Sequence, residues 1–236
     1  MVMIIICSPT KTLSLKTPEP ISSPVFKEEA FEIMSVLKTL SLEELKKLYK
    51  VSDKVALQAN NYIQTWPTIN PLSAIYAFSG LQFKNLDIRS LDPEALDYAF
   101  KTIKITSGLY GILNAQDMIH PYRYDLENKL ESLDVEHLYI VKVNAYLKSL
   151  NQEILDLTSK EYSVLLKDCE PVKVIFLEDD KQKGTVNKIF RGRLMRYCCQ
   201  NKVQSIADIK AYTEDGFVFD EEHSSNKEYI FTRRTK

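Results

Sequence analysis

Hydrophobic residues in the first hundred positions recur mostly at helical spacing. A helix over residues 25–39 is predicted from its apolar positions, which are Phe26, Ala30, Ile33, Met34 and Leu37. "SLEE" at 41–44 is a capping box that begins a second helix, and residues 52–66 are typical of a third. Asp92, followed by Pro93, begins a fourth helix. Ahead of these, the apolar run "MVMIIIC" predicts a buried first strand.

The pattern changes in the second half, where short apolar runs favour strands. "TIKIT" and "EILDL" predict strands, and "GILNAQDMI" could begin as a helical turn. Two apolar runs around a charged turn predict a β-hairpin over residues 172–190. "SKEYSVLL", "RGRLMRYCCQN" and "SIADIKAY" predict helices, and the last two predicted strands are "GFVFD" and "KEYIFTRR". These elements indicate an α+β fold.

The distribution of these elements predicts a single mixed-sheet domain over residues 1–236. Its helices are concentrated in the first half, in a helical sub-region at about 25–102, and a strand-rich sub-region covers about 103–236. The sequence contains no internal repeat and no low-complexity linker.

Composition and charge narrow the function classes. The net charge of −1 provides no overall attraction to nucleic acid or membrane, so any basic surface must be local. No apolar run approaches the length of a transmembrane helix, and no signal peptide is visible, so a cytoplasmic protein without a membrane partner is predicted. The four cysteines lack ligand spacing and predict reduced, buried thiols. Redox sensing at Cys198 and Cys199 is the alternative, because arginines precede them.

Two of only six glycines fall in "SGLYG", at Gly108 and Gly111. Such a turn could point backbone N–H groups at an anion, with hydroxyls from Ser107 and Tyr110 nearby. The alternative is a sharp structural corner that binds nothing.

The strongest local feature is a stretch from Lys181 to Ala207 without any acidic residue. Its three arginines around Gly192, which are Arg191, Arg193 and Arg196, would lie near a helix N-terminus, where a bound phosphate would balance their charge. A solvated basic face, or pairing with acidic side chains elsewhere, is the alternative.

Three further segments carry polar groups that could serve a site. "CSPTKTL" places Ser8, Lys11 and Thr12 after the first strand, although a simple capped turn is also possible. Arg123 in "PYRYD" could pack between tyrosines or bind phosphate. "FDEEHSSN" could be a polar loop or could hold a divalent ion through its acids and histidine. No HxxxH or HExxH spacing supports a metal site, and neither a metal nor another cofactor is predicted.

Together, "CSPTKTL", "VSDKVA", "SGLYGIL", "PYR", "LTSKEY", the Lys188–Arg191–Gly192–Arg196 spacing and "FVFDEEHSSN" resemble the YaaA family of bacterial peroxide stress proteins. The resemblance implies a mixed α/β domain with a helix-hairpin-helix-like element and a positively charged cleft. It also implies DNA binding and a role in limiting damage by iron and peroxide. It implies no established reaction.

The first hypothesis is therefore a peroxide stress protein that binds double-stranded or distorted DNA by phosphate and shape contacts. Its predicted phosphate-binding residues are Lys11, Ser107, Gly108, Tyr110, Gly111, Arg123, Lys188, Arg191 and Arg196. The alternative is an enzyme acting on a nucleotide or damaged nucleic acid, in a pocket that combines lysine, arginine and carboxylate groups. The further polar residues predicted for that pocket are Ser8, Thr12, Glu161, Asp220, Glu221, Ser224, Ser225 and Asn226. An iron-sequestering protein is poorly supported, because the three histidines are scattered.

Overall fold

The strands are short and mostly buried. A computed structural model describes residues 3–235; Met1 and Val2 of the predicted first strand lie outside the described residues. The strands are β1 (Ile4–Cys7), β2 (Leu72–Ser73), β3 (Ile103–Ser107), β4 (Gly111–Asn114), β5 (Met118–Ile119), β6 (Ile154–Leu157), β7 (Val172–Glu178), β8 (Val218–Phe219) and β9 (Glu228–Arg233).

The helices include a run of six between residues 27 and 102, in agreement with the predicted concentration of helices there. The α-helices are α1 (Lys27–Lys38), α2 (Leu42–Tyr49), α3 (Asp53–Thr65), α4 (Ala74–Ala77), α5 (Leu81–Leu86), α6 (Pro93–Thr102), α7 (Val135–Leu150), α8 (Lys160–Ser163) and α9 (Gly184–Asn201). Short 3₁₀ helices cover Ile88–Ser90, Val164–Leu166, Ile206–Ala211 and Glu214–Gly216.

Seven strands form one mixed sheet in the order β4-β3-β1-β6-β7-β9-β8. The five interior strands run parallel, and the edge strands β4 and β8 are antiparallel to their neighbours. β1 pairs with β3 and β6 on either side and is buried along its whole length, as its run of isoleucines requires. β2 and β5 form a separate two-stranded sheet. The α+β class with a mixed sheet is therefore confirmed.

The carboxyl ends of the parallel strands meet at one edge of the sheet, which we call the carboxyl edge. α9 packs against β7, α5 and α6, and α6 also packs against β1. Because α9 follows β7 and touches α5, it brings side chains from two distant parts of the sequence towards this edge. In open parallel sheets, ligands commonly bind there.

The predicted β-hairpin over residues 172–190 is wrong. β7 ends at Glu178, and Asp179 and Asp180 then adopt positive φ in a tight turn. The second apolar run begins α9, because Val186, Phe190 and Leu194 recur at helical spacing and pack inwards. The neighbours of β7 are instead β6 and β9, and both pair with it in parallel. Consequently the arginines lie in the middle of α9 rather than near a helix N-terminus.

The "SGLYG" turn also differs from expectation. It joins β3 to β4 in an antiparallel hairpin, with Ser107 opposite Gly111, and Gly111 has a φ of +66°. "GILN" is therefore a strand rather than a helical turn. The expected helix-hairpin-helix-like element is not found at this turn, because the segment connects strands. "SIADIKAY" forms a 3₁₀ helix, and "SKEYSVLL" forms one α-turn followed by a 3₁₀ turn.

Candidate functional site

A cleft of about 440 Å³ opens at the carboxyl edge of the sheet. The loops after the adjacent strands β1 and β6 meet in it through Ser8 and Ser159. Ser8 Oγ donates a hydrogen bond to Ser159 Oγ over 3.2 Å and accepts one from the Ser159 backbone N–H over 2.8 Å. The cleft is lined by Ser8, Pro9, Thr10, Lys11, Thr12, Gly80, Leu81, Gln82, Asp125, Ser159, Glu161, Tyr162, Lys188 and Arg191.

Gly80 allows the loop after β1 to pack tightly against the start of α5. A Cβ at Gly80 would lie 2.4 Å from Thr10 Cγ2, a separation that real side chains do not tolerate. Thr10 Oγ1 accepts a hydrogen bond from the Ser79 backbone over 3.2 Å and donates one to the Thr12 carbonyl over 3.0 Å. These contacts fix the loop that carries Lys11.

Arg191 and Lys188 form the cationic side of the cleft. They lie one turn apart on α9, and Lys188 is exposed, whereas Arg191 is only 6% exposed. Within residues 3–235, Arg191 makes no hydrogen bond or ion pair, and its buried Nε lacks a partner. Burial lowers the pKa of Arg191, and the charge of Asp156 only partly opposes this shift. A buried N–H donor without an acceptor is costly, so the retention of Arg191 at the cleft points to a ligand.

Gln82 places a second unsatisfied donor in the same cleft. The residue is 5% exposed, and within the described part of the chain its Nε2 has no hydrogen-bond partner. Gln82 lies on α5, which packs closely against α9: a Cβ at Gly192 would lie 2.2 Å from the Gln82 carbonyl oxygen. The missing side chain of Gly192 thus lets the helices bring Gln82 and Arg191 into one cavity.

Carboxylates around Lys11 form the acidic side of the cleft. Lys11 Nζ lies 3.2 Å from Asp125 and 3.3 Å from Glu127, and Glu161 Oε1 accepts a hydrogen bond from the Glu127 N–H over 3.1 Å. Burial alone lowers the pKa of Lys11, but Asp125 and Glu127 raise it overall. Burial raises the pKa of Glu161, assisted by the neighbouring Asp125 and Glu127.

The cleft therefore has a cationic side, formed by Lys188 and Arg191, and an acidic side, which includes Asp125 and Glu161. Unpaired cationic and amide donors suit a phosphate oxygen. Half-buried carboxylates suit hydrogen-bond donors or proton transfer. Among the described residues, no group of three or more histidines, cysteines or acids is placed to hold a metal ion.

The "SGLYG" residues do not reach this cleft. Ser107 is fully buried; its Oγ shares a 2.7 Å hydrogen bond with the Tyr122 hydroxyl and accepts one from the Tyr110 N–H over 2.9 Å. A Cβ at Gly108 would lie 2.5 Å from the Tyr124 carbonyl, and one at Gly111 would strike Tyr139. The expectation that Ser107, Gly108, Tyr110 and Gly111 contact phosphate disagrees with this packing, because protein atoms already fill the space.

The other predicted cations have separate positions. Arg196 donates to the carbonyls of Leu86 and Asp87 over 3.1 Å each and to Ser90 Oγ over 2.9 Å, so it ties α9 to the end of α5 instead of facing the cleft. Arg123 is half-buried in a small depression beside the cleft, which shares Lys11 and Asp125 with it.

The polar turn of residues 220–227 lies at the opposite edge of the sheet, because it precedes β9, which runs parallel to β7. Ser224 Oγ donates to the Asp220 carbonyl over 2.5 Å and accepts from the Ile230 N–H over 2.9 Å. The assignment of Asp220, Glu221, Ser224, Ser225 and Asn226 to the same pocket as Lys11 is therefore wrong. Their spacing reflects a turn that satisfies its own backbone.

Sequence reasoning missed Gln82, Asp125 and Ser159 as cleft residues. Asp125 is two residues from Arg123 in the "PYRYD" segment, and Ser159 begins a predicted helix, so both had a local signal. Gln82 had none, since a glutamine on an amphipathic helix is ordinary. Only the packing of α5 on α9 makes its amide unusual.

The thiols do not support redox sensing at Cys198 and Cys199. Both are fully buried, and burial raises the pKa of each, to about 12 for Cys199. A protonated, inaccessible thiol reacts slowly with peroxide. Over residues 3–235, none of the helices combines the length and the apolar character that a membrane crossing needs.

Comparison with known proteins gives a consistent assignment. A family model described as "Peroxide stress protein YaaA" matches residues 3–223. A "UPF0246 protein" of Finegoldia magna is 32% identical over 243 residues, covering 98% of each chain. Homologues of the same description from Aliivibrio fischeri and Agathobacter rectalis are 32% and 30% identical, covering 98% of this chain and 98% and 99% of theirs. The chain therefore belongs to the YaaA (UPF0246) family of peroxide stress proteins.

Proposed function

We propose that this protein acts in the peroxide stress response by binding DNA at the carboxyl-edge cleft, with Arg191 as the principal phosphate ligand. The role in stress comes from the family name. The observation that carries the binding proposal is the burial of Arg191 without a partner in the described chain. A phosphate would supply the charge and the hydrogen-bond acceptors that the fold does not.

The size of the cleft limits the form of DNA that can enter. A volume of about 440 Å³ suits a ligand the size of one nucleotide, whereas a duplex is far too wide. DNA would therefore have to present a nucleotide outside its helical stack. Unpairing costs least where the duplex is already distorted or damaged. This favours bulged or damaged DNA over a regular duplex.

The cations of the cleft that form no ion pair allow a small number of phosphate contacts. Lys188 is exposed and forms no ion pair in residues 3–235, so with Arg191 it provides two available cations. Lys11 is already engaged by Asp125 and Glu127. With roughly two contacts, the logarithm of affinity should fall with the logarithm of salt concentration with a slope of about −2.

Fluorescence anisotropy with labelled regular duplex, bulged duplex and single-stranded DNA across a salt series tests this proposal. We expect the bulged duplex to bind best and Arg191→Gln to weaken binding by roughly 10- to 100-fold, the usual effect of losing a charge-assisted hydrogen bond. Lys188→Ala should reduce the salt slope by about 1.

Lys227→Ala is the matched control, since it removes an exposed lysine at the opposite edge of the sheet. Its affinity and salt slope should equal those of the wild type. Absence of DNA binding at low salt, or equal losses in Lys227→Ala and Lys188→Ala, would contradict the proposal.

A second candidate is an enzyme that acts on a nucleotide or damaged nucleic acid in the same cleft. It is favoured by Glu161, whose raised pKa and position near Lys11 suit a general acid or base. The test is mass spectrometry of bulged DNA and free nucleotides after incubation with wild type and Glu161→Gln. Turnover that disappears in the variant while binding persists would support catalysis; unchanged DNA and nucleotides would reject it.

A further inference from the structure

We propose that the acidic side of the cleft selects the base of the bound nucleotide, and that it favours guanine by accepting hydrogen bonds from the base edge at Glu161. This inference rests on the proposed function, because it assumes that a nucleotide unit enters the cleft. It adds a specificity that phosphate contacts alone cannot supply.

The cleft separates its two kinds of polar group. Arg191 and Gln82 come from α9 and α5, whereas Glu161 comes from α8 and Asp125 from the segment before α7. Because Arg191 and Glu161 line the same cleft of about 440 Å³, a nucleotide bound by its phosphate at Arg191 can reach Glu161 with its other end.

Glu161 has acceptor capacity to spare. Its Oε1 accepts one hydrogen bond from the Glu127 backbone, and within residues 3–235 its Oε2 has no hydrogen-bond or ion-pair partner. The side chain is half-buried and has two acidic neighbours. Hydrogen-bond donors from a ligand would compensate a carboxylate in this position.

DNA can meet Glu161 only with neutral hydrogen-bond donors. None of the four bases carries a charge at neutral pH, and their edges offer N–H groups that a carboxylate can accept. Pro9 and Leu81 in the lining add apolar surface for the flat face of a base.

Among the four DNA bases, guanine offers the best match to a carboxylate. Its N1–H and N2–H groups are two adjacent donors that point in the same direction, so both can bind one carboxylate. Adenine and cytosine each offer one amino group beside an acceptor nitrogen, and thymine offers one N–H between two carbonyls. Acceptor atoms facing a carboxylate are repelled, which disfavours these three bases.

The test is anisotropy with duplexes that differ only in one bulged nucleotide: guanine, adenine, cytosine, thymine or inosine. Inosine lacks only the 2-amino group of guanine. We expect the guanine bulge to bind about tenfold or more tightly than the adenine, cytosine and thymine bulges, as a bidentate contact provides, with inosine between them. Glu161→Gln should abolish this preference and leave thymine binding unchanged.

Glu221→Gln, at an exposed acid of the opposite edge, should keep the preference and is the control. Equal affinity for all five bulges, still dependent on Arg191, would overturn base selection while leaving the proposed function intact. A guanine preference that survives in Glu161→Gln would overturn the role of Glu161. Failure to bind any of the five would overturn the proposed function itself.

Discussion

The carboxyl-edge cleft and the polar turn of residues 220–227 contain similar kinds of side chain but use them in different ways. In the turn, the hydroxyl of Ser224 and the carboxylate of Asp220 bond to groups within a few residues of them. In the cleft, Arg191 and Gln82 are buried by distant segments and find no partner in the described chain. Both regions are polar in sequence, yet of the two only the cleft contains buried polar atoms without a hydrogen-bond partner in the described chain.

This contrast shows which polar residues can serve a ligand. Polar groups that bond to the nearby backbone stabilise the fold and keep few free hydrogen-bonding positions for a ligand. Groups that tertiary packing buries without partners cost stability, and natural proteins retain such a cost mainly at functional sites. The same distinction separates two arginines of α9: Arg196 is held by carbonyl groups, whereas Arg191 is not.

The largest expected effect comes from breaking the packing that creates the cleft. Gly192→Ala would force α9 away from the Gln82 carbonyl, so we expect the free energy of unfolding to fall by roughly 2–3 kcal/mol, with loss of DNA binding. Gly184→Ala is the control, because no atom lies within 4 Å of its added Cβ, and it should change stability by less than about 1 kcal/mol. Urea denaturation measures the free energy of unfolding of both variants. An equal loss in Gly192→Ala and Gly184→Ala would show that the close contact between α5 and α9 is unimportant.

A second pair of variants should move stability in opposite directions. Arg191→Met removes a buried cation that makes no ion pair in the described chain. It should raise the free energy of unfolding by about 1 kcal/mol and weaken DNA binding at least as much as Arg191→Gln does. Ser224→Ala removes two hydrogen bonds and should lower the free energy of unfolding by about 1 kcal/mol without affecting DNA binding. If both variants were destabilised alike, Arg191 would be a structural residue and the contrast between the regions would fail.

The smallest effect is a pH dependence at Glu161. Its raised pKa in the folded protein means that it stabilises the fold below the pKa of the unfolded chain and loses this contribution as pH rises through the folded value. Glu161→Gln should therefore have a higher Tm than the wild type at neutral pH, and the difference should shrink at acidic pH. Calorimetry from neutral to acidic pH measures this difference in Tm, with Glu221→Gln as the control. A difference in Tm that does not change with pH would contradict the prediction.

The sequence by itself determined the elements whose signals are local. The capping box at Ser41, the Asp92–Pro93 start of α6 and the all-apolar β1 depend on neighbouring residues, and the structure shows each of them. The family could also be recognised, because its motifs keep their order along the chain. Lys11, Lys188 and Arg191 were among the predicted phosphate ligands, and all three line the cleft.

Only the tertiary structure decided which polar residues meet. Parallel pairing of β1 with β6 joins residues about 150 positions apart, as at Ser8 and Ser159, and the packing of α5 on α9 creates the environment of Gln82. The same long-range pairing of β7 with β9 sends residues 220–227 to the opposite edge. Local sequence patterns carry no information on these contacts, because burial and strand neighbours are set by the whole chain.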